Sequence, residues 1–389
     1  MKKILVYGSY GYTGQLIVEH AVQEGVDMIL AGRDEKRLRE QAEKFNLPYR
    51  AFAVEETAKL DAALQEVDAV LHCAGPFVLT FKAMAEACIR NKKHYVDISG
   101  EIEEFEALAL MDDEAKRAGV MLLPGGGFDV VPSDCLIAYT ASKLPGANDL
   151  KLYIKSIGSG VSRGTARSGV ENSHRAGRIR RDGKIVSVPN LYDSKEVDFG
   201  RGPTRLVTMG WGDVSTAYYS TGIPNVTVYM GFPKVMISMM KFTKIAGPLL
   251  YTRTARNFIK WLIGIFFAPG PSREKNKTGF SLLIAEVTDG TKTVRAKLRT
   301  PEAYYLTALT SVEIMKRILS NDLKPGFQTP SNVYGADFIL QFAGVQRDDL
   351  YCIYLPRSSR RTLRKNLAHL AGFAVLSIYN HDNRLKEHE

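Results

Sequence analysis

Gly8-Ser9-Tyr10-Gly11-Tyr12-Thr13-Gly14 follows an apolar run, Ile4 to Tyr7, and opens a stretch with helical spacing. A strand before it and a helix after it turn a common glycine pattern into a specific one. Gly8 permits the tight turn, Gly11 lets the backbone approach a pyrophosphate, and Gly14 lets the helix pack closely on the strand. The start of that helix offers backbone N–H groups and the positive end of its dipole to phosphate. Tyr10, Tyr12 and Thr13, which fill the spaces between the glycines, are expected beside the same ligand.

Outward from this motif the chain alternates short apolar runs with helical patterns, which predicts βαβ units and a parallel sheet. Strands are expected at Ile4 to Tyr7, Met28 to Ala31, Tyr49 to Ala53, Ala69 to Ala74, His94 to Ile98 and Val120 to Leu123. Helices are expected at Gln15 to Gln23, Asp34 to Phe45, Lys82 to Arg90 and Ile102 to Arg117. The expected fold class is α/β: an N-terminal Rossmann doubly wound parallel sheet, then a second α+β domain on a mainly antiparallel sheet. After Pro124-Gly125-Gly126-Gly127 a helix should start at Pro132-Ser133 and run to Ser142. Strand-like runs such as Leu150 to Ser156 and Leu206 to Thr208 follow. The domains read as 1–131, 132–345 with an apolar segment at 225–268, and a basic tail at 346–389.

The residue at the end of the second strand selects the dinucleotide. NAD sites place Asp or Glu there for the ribose 2′-hydroxyl. This chain has Ala31-Gly32-Arg33, and an arginine can hold a 2′-phosphate bidentately, so NADP is expected in preference to NAD. Asp34 reads as a helix cap. Loops after the fourth and fifth strands, Ala74-Gly75-Pro76 and Ser99-Gly100, should lie along the nicotinamide half.

The 389 residues carry a net charge of +10, with 45% apolar and 24% charged residues, a composition ordinary for soluble proteins. Arg163, Arg167, Arg175, Arg178, Arg180, Arg181 and Lys184 form one basic cluster, and Arg357 to Lys365 another. With no nucleic-acid motif beside them, these clusters do not predict nucleic-acid binding. The four cysteines lack metal-ligand spacing, so no metal site is expected, and a reducing, cytoplasmic setting fits. In 225–268 apolar runs of about ten residues are punctuated by cations and carry Phe258, Trp261, Phe266 and Phe267. Such runs are too short to span a bilayer, but the composition suits peripheral membrane contact, a pocket wall or a subunit contact.

Together the glycine motif, Ala31-Gly32-Arg33, Gly75-Pro76-Phe77, Tyr95 to Glu101 and Gly127-Phe128-Asp129-Val130-Val131-Pro132-Ser133-Asp134 resemble the saccharopine dehydrogenase-like oxidoreductases. The resemblance is nearest to the branch that includes the bacterial trans-acting enoyl reductases. Gly164-Thr165-Ala166-Arg167-Ser168 and the Thr329-Pro330 element extend it. It implies a nicotinamide-dependent reduction, in this branch of lipid-type enoyl groups; founding members act on an amino-acid imine adduct.

Hydride transfer needs a proton donor. Glu101 and Asp129 each follow a glycine-rich loop at the cofactor edge. Tyr139 and Lys143 spell Y-x-x-x-K, which places both on one helix face. Glu101 could instead begin a helix, Asp129 tie down its loop, and Tyr139 pack against the sheet. His72 reads as a core residue, and His174 stands among arginines. Three functions remain open: an NADP-dependent reductase of an apolar, carrier-bound or lipid-like enoyl substrate; a saccharopine- or imine-type dehydrogenase using Arg163, Arg167 and Arg175 for carboxylates; and a non-catalytic NADP-binding protein at lipid surfaces. Homo-oligomers are compatible with each.

Overall fold

A computed structural model describes residues 2–172, 177–232, 237, 252–266 and 270–354. The first sheet follows the expected alternation. β1 (Ile4–Tyr7), β2 (Met28–Gly32), β3 (Tyr49–Ala51), β4 (Ala69–His72), β5 (His94–Asp97) and β6 (Met121–Leu123) pair in parallel. Between them run α1 (Tyr12–Gln23), α2 (Glu35–Phe45), α3 (Thr57–Leu64), α4 (Phe81–Asn91), α5 (Ile102–Ala109) and α6 (Asp112–Ala118). β1, β2, β4 and β6 are buried along their whole length, as apolar runs in a sheet covered on both faces require, and the edge strand β3 is half-buried.

Three features depart from the sequence reading. α3 is an additional helix. The single helix expected from Ile102 to Arg117 breaks at Leu110–Met111, because Asp112 is drawn into a tertiary contact: its Oδ1 accepts the Phe327 N–H at 2.8 Å. Its acidic neighbours Asp113 and Glu114 then sit in the first turn of α6, where the helix dipole favours them. That contact belongs to the third departure. β15 (Gly326–Phe327) adds a seventh strand beside β6, so the sheet order is β15-β6-β5-β4-β1-β2-β3. A strand supplied from about 200 residues downstream has no local signature.

α7 (Val131–Ser142) leads into the second sheet, with β7 (Asp149–Ile157), β8 (Gly177–Arg181), β9 (Lys184–Val188), β10 (Ser194–Asp198), β11 (Pro203–Thr208), β12 (Asn225–Met230), β13 (Phe280–Thr288), β14 (Lys292–Pro301) and β16 (Gln346–Tyr354). Its main path is β10-β11-β12-β7-β13-β14-β16, antiparallel except at β12/β7. The helices of this part include α8 (Arg163–Asn172), α9 (Asp213–Thr221), α10 (Arg253–Phe266), α11 (Arg273–Thr278) and α12 (Ala303–Leu319). α12 returns to pack on α1 over β4 and β5, so residues 303–327 complete the first sheet's cover. His174, Arg175, most of the apolar runs at 234–251, and the basic cluster at 357–365 lie outside the described residues.

The basic cluster at 163–184 is not a uniform solvated surface. Arg180 is 3% exposed. It pairs with Glu106 of α5, donates to the carbonyls of Val214 at 2.9 Å and Gly183 at 2.7 Å, and lies over the Tyr218 ring. Glu106 also accepts from Ser215 at 2.6 Å and Tyr219 at 3.2 Å, so this carboxylate ties the first domain to β8 and α9. Glu106→Ala leaves a buried guanidinium without its counter-charge and should cost about 2–4 kcal/mol. Urea unfolding checks this; a midpoint equal to wild type would contradict it.

Candidate cofactor and catalytic site

The sheet order reverses between β1 and β4, and ligands of such sheets bind outside the carboxyl ends of the strands at that point. Gly8, at φ +83°, turns the chain there: an added Cβ would stand 2.9 Å from the Ala74 Cβ and backbone N. A Cβ on Gly14 would meet the Gly8 carbonyl oxygen at 2.5 Å, so α1 packs directly on the turn. Gly11 differs. Among the described residues its Cβ would meet only the Gly8 oxygen within 4 Å, at 3.2 Å. α1 starts at Tyr12 with no side-chain cap, leaving its first N–H groups for a ligand. This cradle fits a dinucleotide pyrophosphate.

The structure brings Gly8, Gly11, Gly14, Ala74, Gly75, Pro76, Ser99 and Gly100 together along one edge, at the ends of β1, β4 and β5. Thr13 is half-buried in the first turn of α1, and Arg33 is exposed at the end of β2. Tyr10 folds over Gly32, whose Cβ would lie 2.6 Å from the ring. Tyr12 is a partial correction: its side chain turns to the second domain rather than to the cofactor. Its hydroxyl donates to the Pro271 carbonyl and accepts from Asn276 Nδ2, both at 2.8 Å, and Tyr304 meets its ring edge-on at 5.1 Å. Only its backbone remains at the phosphate cradle.

The candidate acids separate by what their oxygens hold. Glu101 accepts from the backbone N–H groups of Phe77 at 3.1 Å and Val78 at 2.9 Å. It braces the loop after Pro76, with both oxygens engaged by backbone N–H groups. Ser99 serves the same loop, its hydroxyl accepting the Glu101 N–H at 3.0 Å. Asp97, fully buried, accepts from Ser99 N–H at 2.8 Å and Gly125 N–H at 2.9 Å. Burial, and then the neighbouring Asp97 charge, push the Glu104 carboxyl well above the usual carboxylate range. Tyr139 is also corrected. Its hydroxyl donates to Asp349 at 3.0 Å, Lys143 pairs with the same carboxylate, and Arg347 lies 3.4 Å over its ring. The Y-x-x-x-K pair therefore fastens α7 to β16, the edge strand of the second sheet. His72 is buried with Nε2 2.8 Å from the Thr80 hydroxyl; burial lowers its pKa to about 3 and keeps it neutral.

Asp129 remains. Its carboxylate lies against Gly100, where a Cβ would be 3.0 Å from Oδ2. It has no hydrogen-bond partner among the described residues, and burial pushes its carboxyl up to about 7. Its loop is fixed by backbone contacts: the Asp129 carbonyl accepts from Trp211 Nε1, and Phe128 N–H donates to Thr307 Oγ1, both at 3.0 Å. Gly212 touches Gly100, its Cβ position 3.4 Å from the Gly100 Cα. The turn before α9 thus closes the site from the second domain. Sequence reasoning missed Trp211, although Gly210-Trp211-Gly212 was a visible signal, and missed Tyr304 and Thr307, which had none.

Residues 4–123 match the family model for the saccharopine dehydrogenase NADP-binding domain. The chain carries that domain. A human saccharopine dehydrogenase-like oxidoreductase is 28% identical over 213 residues, covering 48% of this chain and 49% of the relative. A Mycobacterium tuberculosis protein named as a trans-acting enoyl reductase is 28% identical over 183 residues, 43% of each chain. The matched stretch thus spans about half the length of these relatives or less. The saccharopine dehydrogenase (L-Glu forming) of Saccharomyces cerevisiae superposes with a TM-score of 0.60 over 90% of this chain and all of that one, at 14% identity, which establishes the shared two-sheet fold.

The cradle makes a contrast at its glycines. Gly11→Val should abolish dinucleotide binding in a folded protein, since its side chain enters the open cradle. Gly14→Val, wedged 2.5 Å from the Gly8 oxygen, should also lower thermal stability. Circular dichroism with cofactor titration checks both; a folded Gly11→Val that binds normally would contradict the placement.

Proposed function

We propose that the chain is an NADP-dependent reductase of an apolar, unsaturated, carrier-bound or lipid-like substrate, with Asp129 as the proton donor. The observation that carries the reading is the Asp129 carboxyl, without a partner among the described residues and pushed up to about 7 by burial, at the seam between the cofactor loops and the second domain. Gly8, Gly11, Gly14 and the first turn of α1 would hold the pyrophosphate, Arg33 the 2′-phosphate, and Ala74 to Pro76 with Ser99 and Gly100 the nicotinamide side. The bound nicotinamide supplies hydride. Asp129 supplies the proton to the neighbouring substrate carbon, and a donor with pKa close to working pH suits that task. Trp211 fixes the Asp129 backbone, and Glu101 keeps the facing loop in place.

The substrate class is supported by α10. Phe258, Trp261 and Ile265 lie on one face, each more than half exposed, with Phe258 stacked on Trp261 at 5.8 Å. Such a face suits a substrate delivered from a lipid phase, and it favours peripheral membrane contact as a companion reading. Among the described residues no helix is long and apolar enough to cross a membrane. A saccharopine-type reaction needs cations for two or more carboxylates. Arg163 and Arg167 on α8 are the described candidates, and Arg167 approaches α10 at Gly264.

Oxidation of NADPH by a panel of 2-enoyl thioesters and amino-acid imine adducts separates these chemistries: turnover is expected with the apolar enoyl members, and turnover confined to imines overturns the reading. In reduction Asp129 must start protonated. Its raised pKa keeps it so below about pH 7, and kcat/KM should fall above that value. Asp129→Asn should lower kcat by roughly 10²–10⁴-fold and remove the break near neutrality. An unchanged profile would assign the proton elsewhere. In flotation with anionic vesicles, wild type should rise and the Phe258→Glu, Trp261→Glu variant should not. A wild type that never floats confines α10 to a pocket or a contact within the protein.

A further inference from the structure

We propose that Arg37 joins Arg33 in a two-guanidinium site for the cofactor's 2′-phosphate, with the Tyr10 ring as its platform. The proposal rests on the NADP reading above and assigns a specificity role to a residue that no glycine motif or strand-end rule marks.

Arg37 stands in the first turn of α2, three residues after the Asp34 cap, whose carboxylate accepts the Arg37 N–H at 3.2 Å. A cation there faces the positive end of the helix dipole; Asp34 and Glu35 already offset it in the same turn, and a bound phosphate would add to them. Neighbouring cations find carboxylates: Arg39 pairs with Glu35 at 3.0 Å and Lys44 with Glu19 at 3.2 Å. Among the described residues Arg33 and Arg37 have no such partner, although Glu40 stands close enough to line the same groove as Arg37.

Arg37 instead turns back toward the glycine loop. Its Nη2 donates to the Tyr10 carbonyl at 2.8 Å, and its guanidinium lies 4.7 Å from the Tyr10 ring centre. The ring in turn covers Gly32, and its hydroxyl accepts the Asp34 N–H at 3.2 Å. Tyr10 thus ties the phosphate loop to the β2–α2 turn that carries Arg33. Gln41 strengthens the same junction, exchanging hydrogen bonds with Ser9 at 2.7 and 3.0 Å. A dinucleotide whose pyrophosphate lies on Gly11 places its adenosine ribose at the end of β2. Two guanidinia at that edge match the two negative charges of a phosphate monoester, and the planar fork of each suits its oxygens.

A bracing role and a recognition role predict different selectivities. Titration of the full chain with NADPH and with NADH, followed by nicotinamide fluorescence, reads both. Wild type should prefer NADPH. Arg37→Ala should weaken NADPH about tenfold and NADH less than about twofold, the size expected for a lost charge-assisted contact. Arg37→Lys should retain part of the preference, and the Arg33→Ala, Arg37→Ala double variant should have none. Equal weakening of both cofactors by Arg37→Ala would make the residue a brace for the loop and overturn the proposal. A wild-type preference that survives Arg37→Ala unchanged would overturn it while leaving the NADP reading standing. A wild type that prefers NADH would overturn both.

Discussion

The contact between Gly8 and Ala74 is the constraint on which the rest of the site depends. The turns after β1 and β4 meet at backbone distance, closer than any side chain at position 8 allows. That closeness draws the two halves of the sheet into one crevice. Once it is set, α1 can start only where its N–H groups face the crevice, and Gly14 must be bare for the helix to pack on the turn. The loops after β4 and β5 are then held over the crevice by Glu101, and the Gly125–Phe128 loop by Asp97, Thr307 and Thr310. Each clamp is a short polar contact to backbone, which fixes loop shape where no apolar core can do so.

The acids at the cofactor edge divide the work by environment. Asp97 and Glu101 satisfy backbone N–H groups and are structural. Glu104 is pushed well above the usual carboxylate range because a second charge beside Asp97 in a dry interior is unfavourable. Asp129 is desolvated without a partner among the described residues, the arrangement that brings a carboxyl toward neutrality. Its loop is fixed by the second domain through Trp211 and by α12 through Thr307, so this carboxyl is set in place only when both sheets are assembled.

The nucleotide-binding half was legible because its signals are local. Apolar runs, helical spacing and the glycine motif each act within about twenty residues, and all six N-terminal strands were found where expected. What escaped was set by distant partners. β15 and α12 read as parts of the second domain, yet they complete the first sheet and its cover, and nothing in residues 303–327 announces their neighbours. Glu101 and Tyr139 fit their chemical patterns, but partners 23 and 210 residues away commit them elsewhere. Sequence periodicity places a residue on a face; it does not say which atom waits there. Asp129, whose local signal equalled that of Glu101 and exceeded that of Tyr139, is the one whose carboxyl has no hydrogen-bond partner among the described residues.

The central claim is that NADPH lies across the β1/β4 crevice with its nicotinamide end beside Gly100 and Asp129. Backbone hydrogen exchange of the full chain, with and without saturating NADPH, tests it most directly because it needs no substrate. The account predicts slowed exchange over residues 8–14, 33–37, 74–78 and 99–101, with residues 139–143 unchanged. Protection centred on 139–143, or none in the glycine loop, would contradict it.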